Sequence, residues 1–313
     1  MKKKVILDMD PGIDDALAIL LAFRSPELEI LGITTVSGNV HASKGAINAL
    51  RTLNILKIKD VPVYVGQGKP LLRPLETIEW IHGSDGLGDA NITMPSRKPE
   101  ENSGVRFIAD TIMNSKPDEI TLIATGPLTN IAAALLLEPG LAKRVKELVI
   151  MGGAYGLTPY GVGNMTPVSE FNIYTDPEGA KFVFDSGIPL TAVGLDVTTN
   201  PQALLTKDKY EQLAAFPSET SQFAVAITRN FINRFGFIQL HDPMAVAMAV
   251  DKNLFKTSKY HVTVVTNDDI TRGQTIADRR EWLPEEFRKP PNANIAHWVD
   301  GPRFLQLFME RIK

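Results

Sequence analysis

Residues 5–18 read VILDMDPGIDDALA. An apolar run, Val5 to Leu7, leads into Asp8 and Asp10. Pro11 and Gly12 turn the chain, and Asp14 and Asp15 open an apolar helix that begins Ala16-Leu17-Ala18-Ile19. Four carboxylates at one strand-to-helix junction repel one another, and a hard divalent cation with oxygen ligands relieves the repulsion. Asp at a helix start also caps free N–H groups and complements the helix dipole, which accounts for Asp14 or Asp15 but less readily for Asp10 as well. The stretch points to a metal site at the carboxyl end of a first strand, the edge at which open α/β sheets bind ligands.

Outward from this stretch, strand-like and helix-like segments alternate. Strands are expected at residues 4–9, 28–36, 61–65, 119–124, 147–151, 190–195, 260–265 and 295–299. Helical patterns fall at residues 15–24, 42–56, 104–114, 128–137, 177–185, 207–215, 218–231, 243–250 and 302–312. Several strands are unbroken apolar runs, as in a parallel sheet buried on both faces. The alternation predicts a doubly wound α/β domain. Residues 66–102 and 152–174 are rich in Gly and Pro without periodicity and read as functional loop insertions into a single domain spanning residues 1–313.

The bulk composition narrows the function classes. At 313 residues, 44% hydrophobic and 22% charged, the chain has the balance of a soluble globular protein able to bury a sizeable core. A net charge of −3 argues against nucleic acid or an anionic membrane as partner. With no cysteine, disulfides, thiolate metal sites and a cysteine nucleophile are excluded, and a reducing cytoplasm is the expected compartment. Lys2-Lys3-Lys4 is followed by only three apolar residues before Asp8, too few for a secretory signal. No apolar run approaches the ~20 residues that span a bilayer.

If the sheet is parallel, the strand ends converge on one crevice. Asn39 closes the second strand's run and is also an ordinary turn residue. Thr125-Gly126-Pro127-Leu128-Thr129-Asn130 is a sharp strand-to-helix turn, readable as a proline-initiated helix or as a turn aiming a carbonyl at the metal. Met151-Gly152-Gly153 ends another strand. In His241-Asp242-Pro243, Asp242 is either an N-cap or a fifth acidic ligand, beside a histidine suited to acid work near neutral pH. The loop from Gly163 to Asn172 carries Asn164, Glu170 and Asn172, groups that hydrogen-bond sugar hydroxyls. His82 opens a glycine-rich loop, His82-Gly83-Ser84-Asp85-Gly86-Leu87-Gly88.

Together and in this order, these segments resemble the inosine–uridine-preferring nucleoside hydrolase family. Asp8-Met9-Asp10-Pro11-Gly12-Ile13-Asp14-Asp15-Ala16 is similar to the family's N-terminal motif, and Thr271-Arg272-Gly273 with Asp278 to a block near its C-terminus. The matches run from residue 5 to about residue 300. The resemblance implies a single-domain, Rossmann-like, open and mostly parallel sheet flanked by helices. It implies Ca²⁺ held by Asp10, Asp15, Asp242 and the Thr125 carbonyl, with water and the ribose diol completing the shell. It places Asp14, Asn39, Asn164, Glu170 and Asn172 on ribose hydroxyls, with Met151 beside them. Asp10 would be the base for the attacking water, His241 would protonate or stabilise the departing base, and His82 would lie near it. Family members are often homotetramers or homodimers.

The implied activity is hydrolysis of the N-glycosidic bond of ribonucleosides by direct attack of water with inversion, with purine against pyrimidine left open. The segment 222–239 is expected to border the base, with Phe223, Phe231, Phe235 and Phe237 as stacking candidates. Two other readings compete. A haloacid-dehalogenase-type phosphatase also has Asp-x-Asp after its first strand, but Pro11 departs from that pattern. A non-enzymatic nucleoside sensor would keep the sugar-binding groups without needing Asp10 or His241.

Overall fold

The apolar run that opens the sequence becomes the middle of a sheet. The computed structural model describes residues 2–267 and 269–313. In chain order the elements are β1 (Lys3–Met9), α1 (Ile13–Phe23), β2 (Leu28–Thr35), α2 (Ala42–Ile55), β3 (Val63–Val65), α3 (Glu79–His82), α4 (Gly104–Asn114), β4 (Ile120–Ala124), α5 (Thr129–Leu137), β5 (Glu147–Met151), α6 (Phe171–Thr175) and α7 (Pro177–Asp185). There follow β6 (Leu190–Val193), α8 (Leu195–Thr198), β7 (Leu205–Thr206), α9 (Lys207–Ala214), α10 (Glu219–Phe235), β8 (Phe237–Ile238), α11 (His241–Val250), β9 (Phe255–Tyr260), β10 (Val262–Val264), β11 (Thr275–Ala277), β12 (Ala293–Val299) and α12 (Gly301–Ile312).

Eight strands form one sheet in the order β3-β2-β1-β4-β5-β6-β12-β9. Every neighbouring pair is parallel except β12 with β9. The first six follow the 3-2-1-4-5-6 order of a doubly wound α/β fold, as the sequence led us to expect, and the order reverses between β1 and β4. Side chains of β1 alternate between two cores: Val5, Leu7 and Met9 pack with α1, α2 and α11, while Ile6 faces the cluster carried by α4, α5 and α7. All four are fully buried, worth about 1.5–3 kcal/mol each in transfer free energy.

Register then places the chemistry. Asp8 pairs with Thr34 on one side and Ala124 on the other. Asp10, the β2 exit toward Asn39, and Thr125 therefore leave the sheet at one end, at the point of strand-order reversal.

One expectation needs correction. The strand expected at 260–265 is two elements: β9 ends at Tyr260 as the antiparallel edge of the main sheet, while β10 pairs with β11 in a separate ribbon. Val262 and Val264 are buried against the α7 side of the core. β9 carries Lys256, Thr257, Ser258 and Lys259 between Phe255 and Tyr260, so it lacks the apolar run of the central strands. The third strand is also shorter than expected, starting at Val63.

Candidate active site

The β1–α1 turn is shaped by what must fit beside it. Asp10 is completely buried, and its Oδ2 accepts the Asn39 backbone N–H at 2.6 Å. A Cβ on Gly38 would lie 2.2 Å from that oxygen, and one on Gly126 would lie 2.8 Å from Oδ1. Two turns that the sequence shows only as glycines thus leave space for one carboxylate. Asp15 Oδ1 accepts the Thr125 hydroxyl at 2.8 Å, while Oδ2 accepts the Gly12 N–H at 3.0 Å and the Asn39 side-chain amide at 3.1 Å. Asp242, on the first turn of α11, arrives because α11 packs against α1 and β5.

Carboxylate oxygens of Asp14, Asp15 and Asp242 lie within 4.8 Å of one another. Asp10 is not part of that closest group, but the charges of Asp14 and Asp15 act on it and its own acts on Asp242. Burial first, and the neighbouring carboxylates second, push Asp10 and Asp242 well above the usual carboxylate range. Burial likewise carries Asp14 and Asp15 up to about 6. Asp10 Oδ1, Asp14 Oδ1 and Asp242 Oδ2 are buried without a hydrogen-bond partner. Buried, unpartnered anionic oxygens are costly. An all-oxygen set of this kind fits a hard divalent cation.

The two histidines of the site are held differently. His82 Nδ1 accepts the Ile13 N–H at 3.1 Å, so its proton sits on Nε2. Its 4.0 Å approach to Asp14 is therefore no ion pair, and burial lowers its pKa to about 4. His241 Nδ1 lies 2.8 Å from the Thr198 hydroxyl, and burial lowers its pKa to about 4 also. Burial thus favours the neutral form of both rings.

Loop 152–174 supplies the third wall. Glu170 caps α6: its carboxylate accepts N–H groups from Asn172 at 2.8 Å, Ile173 at 3.2 Å and Gly153 at 3.0 Å. The Asn172 amide donates to the Thr125 carbonyl at 2.7 Å and the Met151 carbonyl at 3.1 Å, tying β4, β5 and α6 together. Asn164 Oδ1 accepts the Phe171 N–H at 3.0 Å. The block at Thr271–Gly273 stands behind this wall: Arg272 stacks 4.1 Å from the Tyr174 ring centroid and donates to its carbonyl.

These groups meet at a cavity of about 250 Å³. Asp14, Asn39, Thr125, Met151, Asp242 and His241 line it, as do His82, Asn164, Glu170 and Asn172. Asp10 and Asp15 do not; they stand behind Asp14 and Asp242 as fully buried groups. The opposite wall is apolar, made by Ile78, Trp80, Ile81, Met165, Phe231 and Ile238. Of the four phenylalanines proposed for stacking, only Phe231 borders the cavity; Phe223 is core and Phe235 is 42% exposed. Trp80 escaped the sequence reading. Its only signal is an aromatic between Ile78 and Ile81 in a segment without periodicity.

Comparison with known proteins identifies the family. The family model described as inosine-uridine preferring nucleoside hydrolase matches residues 5–306. The chain is 39% identical over 322 residues to the inosine-uridine preferring nucleoside hydrolase of Crithidia fasciculata, covering 100% of this chain and 98% of that one. It is 40% identical over 320 residues to a pyrimidine-specific ribonucleoside hydrolase of Salmonella arizonae, covering 100% of this chain and 99% of that one. Among solved structures, a plant nucleoside hydrolase superposes with a TM-score of 0.92 at 34% identity, over 100% of this chain and 99% of that one. The chain belongs to the inosine-uridine preferring nucleoside hydrolase family. It is a ribonucleoside hydrolase, which sets aside the phosphatase and sensor readings.

Proposed function

We propose that the enzyme cleaves ribonucleosides to ribose and free base with Ca²⁺ as cofactor, water attacking C1′ directly with inversion. The observation that carries this reading is the set of unpartnered carboxylate oxygens at the strand-order reversal, with Asp14 and Asp242 lining the same cavity as His241. Asp10, Asp15, Asp242 and the Thr125 carbonyl would hold the ion. Bound there, a calcium ion orients a ribose diol and lowers the pKa of water.

The chain's own groups do the rest. Asp14 faces the cavity and takes a ribose hydroxyl, with Asn39, Asn164, Glu170 and Asn172. Glu170 and Asn164 already hold backbone amides, so their oxygens are fixed before substrate arrives. Met151 packs beside the sugar. Asp10 accepts the proton of the attacking water as the O–C1′ bond forms. The C1′–N electron pair departs with the base, and the surrounding carboxylates stabilise the cationic sugar that develops. His241 donates a hydrogen bond to the departing base from the opposite side. His82 lies near that base, and Trp80, Ile78 and Phe231 offer it an apolar wall. The substrate is a small nucleoside; the net charge of −3 supports neither nucleic acid nor an acidic membrane surface as partner.

The assay is proton NMR of the first-formed ribose from a β-nucleoside. We expect the α-anomer, and retention would overturn direct attack by water. A panel of inosine, uridine, cytidine and adenosine with reducing-sugar detection assigns the base. We further propose a homotetramer or homodimer working in the cytoplasm. The exposed Trp282 and Phe287 and the absence of cysteine support this, and light scattering after gel filtration measures the oligomer. No helix among the described residues is long and apolar enough to cross a membrane.

A further inference from the structure

His241 has one ring nitrogen with a protein partner and one without. Nδ1 lies 2.8 Å from the Thr198 hydroxyl, whereas among the described residues nothing bonds Nε2, and the ring borders the cavity. Thr198 is fully buried at the end of α8. Its backbone N–H is spent on the Gly194 carbonyl at 3.1 Å, and its hydroxyl reaches no other acceptor among the described residues.

The placement of α8 is over-determined. The Asp196 carboxylate accepts the N–H groups of Tyr155 at 2.8 Å, Leu157 at 2.6 Å and Thr158 at 3.2 Å, and the Thr158 hydroxyl returns a bond to the Asp196 carbonyl at 2.8 Å. A β-branched side chain on so fixed a backbone has little rotamer freedom.

Two proton arrangements are open at this bond. If Nδ1 carries a proton, in a neutral or a charged ring, the buried Thr198 hydroxyl hydrogen has no acceptor among the described residues. If the hydroxyl donates to Nδ1, that hydrogen is satisfied and the ring proton sits on Nε2, in a ring that borders the cavity. A buried donor left unpaired costs about 1–3 kcal/mol, so the second arrangement wins. We infer that Thr198 is a positioning residue: its hydroxyl donates to His241 Nδ1 and so fixes the imidazole as an Nε2–H donor toward the leaving base. The inference rests on the reading of His241 as the group that meets that base. It concerns whether Nδ1 carries a proton or accepts one in a hydrogen bond.

The test combines spectroscopy with kinetics. In protein labelled with ¹⁵N-histidine, with the His241 signals identified by their loss in His241→Ala, Nε2 should be protonated and Nδ1 bare. Thr198→Val keeps the shape and removes the hydroxyl. It should lower kcat roughly 10–100-fold on the best nucleoside, within the range of one acid–base contribution. KM should change by less than about 3-fold, as for an interaction made chiefly in the transition state. A riboside with a 4-nitrophenolate leaving group, which needs no donor, should stay within about 2-fold, and Thr198→Ser should restore nucleoside turnover to within about 3-fold. In a His241→Ala background, Thr198→Val should add less than about 2-fold, because the two act as one unit.

A protonated Nδ1 in the wild type overturns the inference, even if the variants fail to fold. Equal loss on both substrates, or no loss on either, also overturns it while leaving nucleoside hydrolysis intact. Absence of ribose release from every nucleoside by the metal-loaded wild type overturns the underlying reading and this inference with it.

Discussion

Gly38→Ala is the sharpest probe of the site, because nothing about Gly38 itself calls for glycine. Its φ is not in the left-handed region, so alanine fits the backbone. The obstacle is outside: the new Cβ would sit 2.2 Å from Asp10 Oδ2 and 2.7 Å from Pro127 Cδ. Ordinary contact begins near 3.4 Å, so the carboxylate must retreat by about 1.2 Å. The 2.6 Å bond from the Asn39 N–H then stretches beyond hydrogen-bond range or swings with it. A displacement of about 1 Å in a catalytic group costs on the order of 10²-fold, or about 2.7 kcal/mol of barrier. The overpacking itself costs about 1–3 kcal/mol of stability, which a chain of this size tolerates. Gly68→Ala is the matched control, since its Cβ would meet nothing within 4 Å. Ribose release under saturating nucleoside and Ca²⁺, read beside a melting curve, separates the two effects. If folded Gly38→Ala retains turnover within about 3-fold of Gly68→Ala, where about 10²-fold is required, Asp10 need not hold its position and its role as base is wrong.

Three further outcomes are expected. His241→Ala should lower nucleoside turnover by roughly 10²–10⁴-fold while sparing a 4-nitrophenyl riboside, and equal losses on both would refute the donor role. In metal-free protein, Asp14 and Asp15 bind protons more tightly folded than unfolded, so stability falls as pH rises from the ordinary 3.8 through about 6. Thermal melts in chelator at pH 5 and pH 8 should show that fall, and Ca²⁺ should reverse it while chelation and re-addition switch activity off and on; a Ca²⁺-independent profile would refute the site. Asn130→Ala removes two buried bonds, to Asp8 Oδ1 at 2.7 Å and to the Thr35 carbonyl at 3.0 Å, and a half-buried one from the Gln67 N–H at 2.7 Å, and should cost about 3 kcal/mol by urea titration.

How far the sequence could be read depends on whether a residue's role is local. β1, its exit at Asp10 and the opening of α1 were legible because an apolar run, a Pro-Gly turn and paired aspartates sit within a few positions. The convergence of Asn39, Thr125 and Asp242 followed from one further premise, a parallel sheet. β9 is hidden from a sequence reading because an edge strand facing solvent has no apolar run to betray it. Trp80 was missed because it faces the cavity from a segment without periodicity. The Asn164 and Glu170 side chains show the same limit from the other side. Their chemistry suggested sugar contacts, but their bonds to the Phe171, Gly153, Asn172 and Ile173 amides are tertiary facts that no spacing encodes. The crowding of Asp14 with Asp15 and Asp242 is likewise visible only once α11 lies against α1.

The order of strands across the sheet differs from the order in which a ribosome delivers them. β9 emerges before β12, yet it joins the sheet through β12 alone, and β12 in turn needs β6 already in place. Until residues 293–299 are synthesised, Phe255–Tyr260 has no neighbouring strand in the main sheet, and the α/β core must wait with one flank unfinished. A translation stall or nonsense codon between residues 260 and 293 would therefore strand an exposed ladder edge, a ready target for chaperones and proteases.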